Sequence, residues 1–441
     1  MSHKDIYKAG RPVYIVDGIR TPFLKARGRP GPFTASDLAV AAGKALLLRQ
    51  PFPAEELDEV VLGCIIPGPS EANIARVVAL RLGCGKGVPA WTVQRNCGSG
   101  MQSIDAAAMD IASGRSDLVL AGGTEAMSHA PLILSDAMVT LLGEWGRVKS
   151  RWARLRLLGR FRPCHFRPVV ALIQGLTDPN TGHSMGQTAE ILAHSFRIDR
   201  ERMDAYALES HRRLARAHDE GRLTEITPIY DIDANCYDHD EGVRPDSDMA
   251  GLARLKPVFD PPFGLITAGN SAQISDGASL LILASAQALK KYCLPVMGRI
   301  VDSEWAGVEP DQMGLGPVHA MAPIMKRQGL ESGNVDCWEI NEAFAAQVLA
   351  CLEAWQSPEY CQRELGLDLP FAAIDPDRLN VDGGAVAIGH PVGASGARIV
   401  LHLIHLLRHN NARLGMASLC IGGGQGGAML IEQSGEVPSG A

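Results

Sequence analysis

From residue 93 to residue 101 the chain reads Val93-Gln94-Arg95-Asn96-Cys97-Gly98-Ser99-Gly100-Met101, a polar, glycine-rich turn between two different kinds of apolar run. Pro89-Ala90-Trp91-Thr92 before it has strand character. Ser103-Ile104-Asp105-Ala106-Ala107-Ala108-Met109-Asp110-Ile111 after it is alanine-rich with helical spacing and stops at Gly114. Cys97 therefore stands where a strand hands over to a helix. That position faces unpaired backbone N–H groups and the positive end of the helix dipole, which predicts a lowered thiol pKa and a nucleophilic thiolate. Gly98 and Gly100 leave room for a ligand to approach the backbone. An arbitrary free cysteine is more often a small core residue, so the catalytic reading depends on partners elsewhere in the chain.

Working outward, Arg11 to Asp17 reads as a buried strand, Ser36 as the cap of a helix from Asp37 to Leu48, and Glu59 to Gly63 as a second strand. A helix from Glu71 to Leu82 and a strand from Asp117 to Gly123 continue an alternation that predicts an α/β layered architecture. Catalytic groups in such sheets lie at strand ends facing helix starts. The second half repeats the pattern. Gly298-Arg299-Ile300-Val301-Asp302 matches the opening strand and Val335 to Ile340 the second strand. Gly389-His390-Pro391-Val392-Gly393 enters a helix as Cys97 does, and Met416 to Gly424 closes the half. Two similar halves would bring Cys97 and His390 to facing helix starts.

Between the halves lies a long insertion, about Pro131 to Leu255. Its stretch from Gly143 to Val170 carries Arg147, Lys149, Arg151, Arg154, Arg156, Arg160, Arg162 and Arg167 against the single acid Glu144. With Trp145, Val148, Trp152 and Leu155 on one helical face, it reads as a basic amphipathic helix. It suits a membrane surface, a partner, ligand phosphates, or a solvated face packed on the protein's own body. Asp199 to Gly221 is another helix, and Cys351 to Asn380 reads as a surface cap. The expected division is residues 1–130 with 256–290 returning to them, a loop domain over 131–255, and a C-terminal half over 291–441.

The 441 residues, 46% hydrophobic and 21% charged, suffice for a large core, and a net charge of −7 argues against nucleic-acid binding. Ten cysteines without a C-x-x-C pair suit reduced thiols. Met1 to Asp5 opens no signal or transit pattern and Val437 to Ala441 is not a peroxisomal tripeptide, so the expected address is the cytoplasm, or the periphery of a membrane through residues 143–170. Cys164-His165 lacks zinc spacing and no metal site is expected; the glycines after Cys420 lack the lysine and hydroxyl of a phosphate-binding loop.

Thiol chemistry on a carbonyl needs a base near the sulfur, donors for the oxyanion and often a second proton carrier. Cys97 is the candidate nucleophile, His390 the base, Cys420 a second thiol acid/base, and Asn341 an amide that can hold water or an oxyanion. Each alone has a plain structural reading as core thiol, satisfied histidine or turn residue.

Together, Asn96-Cys97-Gly98-Ser99-Gly100-Met101-Gln102, Met185-Gly186-Gln187-Thr188-Ala189-Glu190, Asn341-Glu342-Ala343-Phe344-Ala345, Gly383-Gly384-Ala385-Val386-Ala387-Ile388-Gly389-His390-Pro391 and Cys420-Ile421-Gly422-Gly423-Gly424-Gln425-Gly426 resemble the thiolase family, in family order from Arg11 to Glu432. The resemblance implies a five-layered α-β-α-β-α fold of two similar halves plus a loop domain, assembled as a homodimer or homotetramer. It also implies ping-pong acyl transfer with coenzyme A as substrate and no permanently bound cofactor. By carry-over, Cys97 takes the acyl group and His390 its proton. Cys420 protonates the departing acetyl-CoA carbanion, Asn341 holds a water, and the N–H groups of Cys97 and Gly422 hold the second oxyanion. Met185, Met313 and Phe344 match acyl-pocket positions. Ser271 stands in the CoA loop, where Asn270-Ser271-Ala272-Gln273 replaces the frequent Asn-Ala-Ser-Gly. The insertions resemble the trifunctional-enzyme β-subunit type. This implies cleavage of 3-ketoacyl-CoA in fatty-acid β-oxidation beside a hydratase/dehydrogenase α-subunit. The alternative is biosynthetic condensation of two acetyl-CoA.

Overall fold

The computed structural model describes residues 10–433; the terminal pentapeptides read above for targeting signals lie outside them. The strands run β1 (Val13–Arg20), β2 (Leu24–Lys25), β3 (Glu59–Gly63), β4 (Ala90–Val93), β5 (Leu118–Ala126), β6 (Leu132–Ile133), β7 (Val169–Val170), β8 (Ile229–Tyr230), β9 (Cys236–Tyr237), β10 (Ser275–Ala284), β11 (Gly298–Gly307), β12 (Cys337–Ile340), β13 (Leu414–Ile421) and β14 (Gln425–Gln433). Near-continuous apolar runs such as Val13-Tyr14-Ile15-Val16 suit strands covered on both faces. Ten strands form one sheet in the order β12-β13-β14-β11-β1-β10-β5-β3-β4, with β2 added to β10.

The order is an internal repeat. From the central β1–β11 pair outward, β1-β10-β5-β3-β4 runs antiparallel, antiparallel, parallel, parallel. Strands β11-β14-β13-β12 run antiparallel, antiparallel, parallel, and a parallel bridge from Trp338 to Leu379 stands where a fifth strand would. The repeat extends to side chains. Both opening strands shift register at the same place, beside Asp17 and beside Asp302. Asp17 accepts from Arg49 Nε at 2.7 Å and Gln50 Nε2 at 2.6 Å; Asp302 accepts from Arg327 Nε at 2.9 Å and Gln328 Nε2 at 2.7 Å.

Helices Ala35–Leu47 and Ile74–Arg81 cover the outer face of the first half-sheet, where Leu38, Leu46, Val78 and Leu280 cluster. Gly316–Gln328 and Ala345–Gln356 do the same for the second half. Ser99–Ala112 and Val392–His409 lie between the half-sheets, their Met101, Ile104, Ala397 and Leu401 sharing a core with Val119, Leu281, Leu419 and Ile431. The expected five layers, α-β-α-β-α, are present, and the helix starts after Cys97 and His390 are brought to the same central layer.

Local readings need correction in three places. Thr34, not Ser36, caps the first helix: its side chain accepts from Asp37 N while Asp37 accepts from Thr34 N. Residues 143–170 are not one helix. Asp136–Arg147 ends at extended Val148, Arg151–Leu158 begins after Ser150, and a 3-10 turn follows at Pro163–Phe166. A continuous helix would stack Arg147 on Arg151, and like charges at that spacing disfavour it. Cys351 to Asn380 is a surface cap only in its second part: Cys351, Trp355 and Cys361 are buried in the second half, whereas Gln362 to Glu364, Leu369 and Asp375 to Asp377 are exposed. The helix read from Asp199 to Gly221 forms as Arg200–Asp219, with Asp199 accepting from Arg202 N.

Candidate functional site

Cys97 follows β4 and precedes the helix Ser99–Ala112, with Gly98 in the cap position. The turn is fixed by Ser99, whose hydroxyl accepts from Arg95 N at 2.8 Å and donates to Asn96 O at 2.7 Å. Asn96 adopts φ 42° and donates from Nδ2 to Gly422 O at 2.8 Å, tying the cysteine turn to the glycine loop after β13. A cavity of about 250 Å³ opens beside the half-buried Cys97, walled by Ile65, Ile66, Leu172, Met185, Val392 and Gly422. The expected lowering of the thiol pKa is not what the site produces. Burial pushes the Cys97 thiol up, and hydrogen bonding from the Gly422 and Cys97 backbone N–H groups offsets that only in part. Desolvation of the thiolate outweighs the helix start.

His390 lies two residues before Val392 of the cavity wall. Its Nδ1 is 2.6 Å from Ser395 Oγ, and that hydroxyl donates its proton to Pro391 O at 3.0 Å. Both contacts are satisfied when Nδ1 carries the proton and donates it to Oγ; Nε2, buried without a protein partner among the described residues, then presents a lone pair. Burial, then Arg398, lowers the imidazole pKa to about 4. The ring is neutral at physiological pH and able to accept a proton.

Asn341 is wholly buried, and neither its Oδ1 nor its Nδ2 has a protein partner among the described residues. Buried polar atoms are almost always paired, so unpaired ones in a site call for a ligand or water. The adjoining Glu342 is pinned by Tyr206 at 3.0 Å, Ser210 at 2.7 Å and Asn380 at 3.0 Å. Asn341 N donates to Ser418 O at 2.9 Å, which ties Asn341 to β13, the strand that carries Cys420. Burial, with smaller contributions from Cys97 and Cys351, holds the Cys420 thiol well above its ordinary range. It remains protonated.

Not every expected site residue reaches the cavity. Met185 and Gly422 line it, but Met313 and Phe344 are buried in the second-half core, with Phe344 edge-on to Phe259 at 5.9 Å. Ser271 bridges to Phe344 and donates its hydroxyl to Thr267 O at 2.7 Å. Ile65, Ile66, Leu172 and Leu176, none of them among the expected site residues, also line the cavity. The isoleucines follow the C-terminal end of β3, where the strand-end rule would have found them; Leu172 sits on, and Leu176 caps, a short helix, Ala171–Gly175, with no periodic signal of its own.

The thiolase N-terminal domain family model matches residues 13–287 and the thiolase C-terminal domain model residues 294–433. The chain belongs to the thiolase family. It is an acyltransferase of that family, 39% identical to a β-ketoadipyl-CoA thiolase of Pseudomonas aeruginosa over 96% of this chain and 99% of that one. It is 35% identical to the mitochondrial trifunctional enzyme subunit beta of Homo sapiens over 96% of this chain and 88% of the other. Among solved structures, a human mitochondrial 3-ketoacyl-CoA thiolase in complex with CoA matches with a TM-score of 0.81 and 37% identity, over 96% of this chain and 98% of that one.

One group in this thiolase titrates where cells live. Glu125, at the end of β5, is buried and accepts from Ile65 N and Ile66 N at 3.0 Å each and from Gly393 N at 3.1 Å, with Cys64 Sγ 3.4 Å away. Burial raises its pKa to about 7 despite those donors. Between about pH 4.5 and 7 the folded chain thus keeps a proton that the unfolded chain has released, so this group lowers stability as pH rises through that window. Glu125→Gln is expected to flatten that limb of the thermal midpoint against pH. Identical slopes for the two proteins would show that Glu125 is already ionised throughout.

Proposed function

We propose that this thiolase cleaves 3-ketoacyl-CoA substrates carrying apolar acyl chains, by ping-pong transfer through Cys97. The observation that carries the reading is the Cys97 sulfur on an apolar cavity and near enough to the buried, protonated Cys420 thiol to act on its titration; Cys420 lies two residues before the wall residue Gly422 and His390 two before Val392, and His390 Nε2 and the Asn341 amide are buried without protein partners among the described residues. With thiol and imidazole both neutral at rest, the Cys97 proton passes to His390 Nε2 as sulfur attacks the 3-keto carbon. The oxyanion is held by His390 and Asn341, the latter through a water. The C2–C3 bond breaks, its electron pair goes to C2, and Cys420 protonates that carbon to give acetyl-CoA. A second CoA thiol returns a proton to Cys420 and attacks the acyl group on Cys97. As the shortened acyl-CoA forms, the N–H groups of Cys97 and Gly422 hold the oxyanion and Cys97 recovers its proton from His390.

The cavity wall speaks for an apolar chain. Ile65, Ile66, Leu172, Leu176 and Met185 dominate it; among the described residues its one ionisable side chain besides Cys97 is Asp178, and no lysine, arginine or histidine lines it. Hydrogen bonds from Thr181 and Asn180 keep Asp178 below the usual carboxylate range, hence ionised. The acyl group named for the β-ketoadipyl-CoA relative ends in a carboxylate, which such a wall would repel. The family models over residues 13–287 and 294–433 support the division into two thiolase halves, and the name of the trifunctional relatives, subunit beta, supports an α-subunit partner; a homodimer or homotetramer is part of the same proposal. The test is CoA-dependent thiolysis across short to long 3-ketoacyl-CoA, with β-ketoadipyl-CoA alongside, with and without a candidate α-subunit. The expected kcat/KM rises by roughly fourfold per buried methylene. Activity confined to the four-carbon substrate would instead assign the chain to acetyl-CoA condensation, and a preference for β-ketoadipyl-CoA would overturn the apolar reading.

A further inference from the structure

The turn between β13 and β14 is Gly422-Gly423-Gly424, closed by the pair Ile421 and Gln425. Three glycines in a row bring no side chain of their own, and Gly423 and Gly424 hold φ values of 90° and 80°. Such a segment has more backbone freedom to lose than other sequences of its length. Its Gly422 N–H is nevertheless aimed, because it donates to the Cys97 sulfur. Two bonds from outside restrain the loop: Val308 N donates to Gly424 O at 2.8 Å, and Asn96 Nδ2 donates to Gly422 O at 2.8 Å. The second acts at Gly422 itself. A Cβ on Gly422 would lie 3.0 Å from Met185 Sδ and 3.9 Å from Asn96 Nδ2, so the glycine sits against both side chains.

Asn96 suits this task by its backbone as well as its amide. It stands at φ 42°, in the left-handed region that asparagine enters more readily than most side chains. Its carbonyl accepts from Ser99 N at 3.0 Å and from Ser99 Oγ at 2.7 Å. The cysteine turn is thus closed through the backbone, and the amide is left to reach 326 positions along the chain to the other half. Asn96, Cys97, Gly422 and Gly423 all line the same cavity.

We infer that Asn96 is a positioning residue for transfer of the acyl group from Cys97 to CoA: by gripping the Gly422 carbonyl it holds the Gly422 N–H where the thioester oxyanion forms. The inference rests on the ping-pong reading, in which the two half-reactions use different donors. His390 and Asn341 hold the 3-keto oxyanion, whereas the N–H groups of Cys97 and Gly422 hold the thioester oxyanion. In that second step the CoA sulfur bonds to the thioester carbon as its proton goes to Cys420. The bond from that carbon to the Cys97 sulfur then breaks, and the sulfur takes its proton from His390. Loss of the Asn96 amide therefore slows one half-reaction and spares the other, which a general loosening of the fold does not do.

Asn96→Gly keeps the left-handed backbone and removes the amide. Two rates of the full chain separate the halves of the reaction. The burst of acetyl-CoA released from acetoacetyl-CoA without free CoA reads the first; exchange of labelled CoA into acetyl-CoA reads the second in both directions. In Asn96→Gly the exchange is expected to fall by about tenfold, the scale of one net hydrogen bond. That is less than the roughly 10²–10³-fold that follows removal of an oxyanion donor itself. The burst should keep its wild-type rate and amplitude, which also shows an intact fold, and the acetyl adduct should accumulate during turnover. Asn96→Asp keeps size and backbone but turns an acceptor toward the Gly422 carbonyl, so its exchange should fall at least as far. Equal losses in both half-reactions overturn the inference, as does wild-type exchange in either variant. So does a raised KM for CoA with exchange unchanged at saturation, which would make Asn96 a CoA contact and no more. A wild-type chain that gives neither burst nor exchange overturns the ping-pong reading, and the inference with it.

Discussion

Cys97→Ala is expected to lower CoA-dependent thiolysis by about 10⁴-fold or more, the scale seen when a nucleophile is removed and binding groups are left in place. The loss should fall on kcat, because the cavity walls that hold the substrate are untouched. Stability should barely change: alanine deletes one sulfur from a half-buried position at the cavity rim, and the turn is held by Ser99 and Asn96, not by the thiol. Mass analysis of the chain incubated with acyl-CoA separates the roles of the two thiols. Wild type should carry an acyl adduct, Cys97→Ala none. Cys420→Ala should still be acylated by acyl-CoA yet fail to turn over, since only the proton donor is missing. An adduct that persists in Cys97→Ala would remove Cys97 as the nucleophile.

Much of this was legible in the sequence because the architecture is written twice. The matches of Gly298–Asp302 to the opening strand and of Gly389-His390-Pro391 to the cysteine turn are each weak. Together they predict the shared central layer in which the two helices lie. What the sequence hid is what depends on three-dimensional electrostatics. A helix start near Cys97 suggests a stabilised thiolate, but the sulfur's surroundings also come from far away in the chain: Met185 walls the same cavity and Gly422 N–H supplies a hydrogen bond that offsets burial only in part. The broken basic helix was hidden for a related reason. Periodicity records where Trp145 and Trp152 would fall on a helix, not whether the arginines between them tolerate one another. Thr34 displaced Ser36 as a cap because both hydroxyls stand near the helix start and only Thr34 has an acid three residues on, Asp37, to close the box.

The repeat also predicts that the chemistry tolerates little change beneath it. The two central helices and β5 meet through glycines. A Cβ on Gly123 would lie 1.9 Å from Gly393 O and 3.1 Å from Gly100 Cα. Real Cβ contacts essentially never fall under 3.0 Å, so Gly123→Ala must open this crossing by about 1 Å (3.0 − 1.9 Å), and the obstruction is backbone, which cannot swing aside. Gly100 lies three residues after Cys97 and Gly393 three after His390, so the movement separates the sulfur from the imidazole. A misplacement of that size is expected to cost about 10²-fold in kcat, and overpacking should cost about 1–3 kcal/mol of stability. Gly143→Ala is the matched control. Its Cβ meets nothing within 4 Å on the helix Asp136–Arg147, so it should leave kcat unchanged and add up to about 1 kcal/mol. Measured kcat and thermal midpoints of the two variants decide the matter: wild-type kcat in a folded Gly123→Ala chain would mean that the glycine crossing does not set the distance between Cys97 and His390.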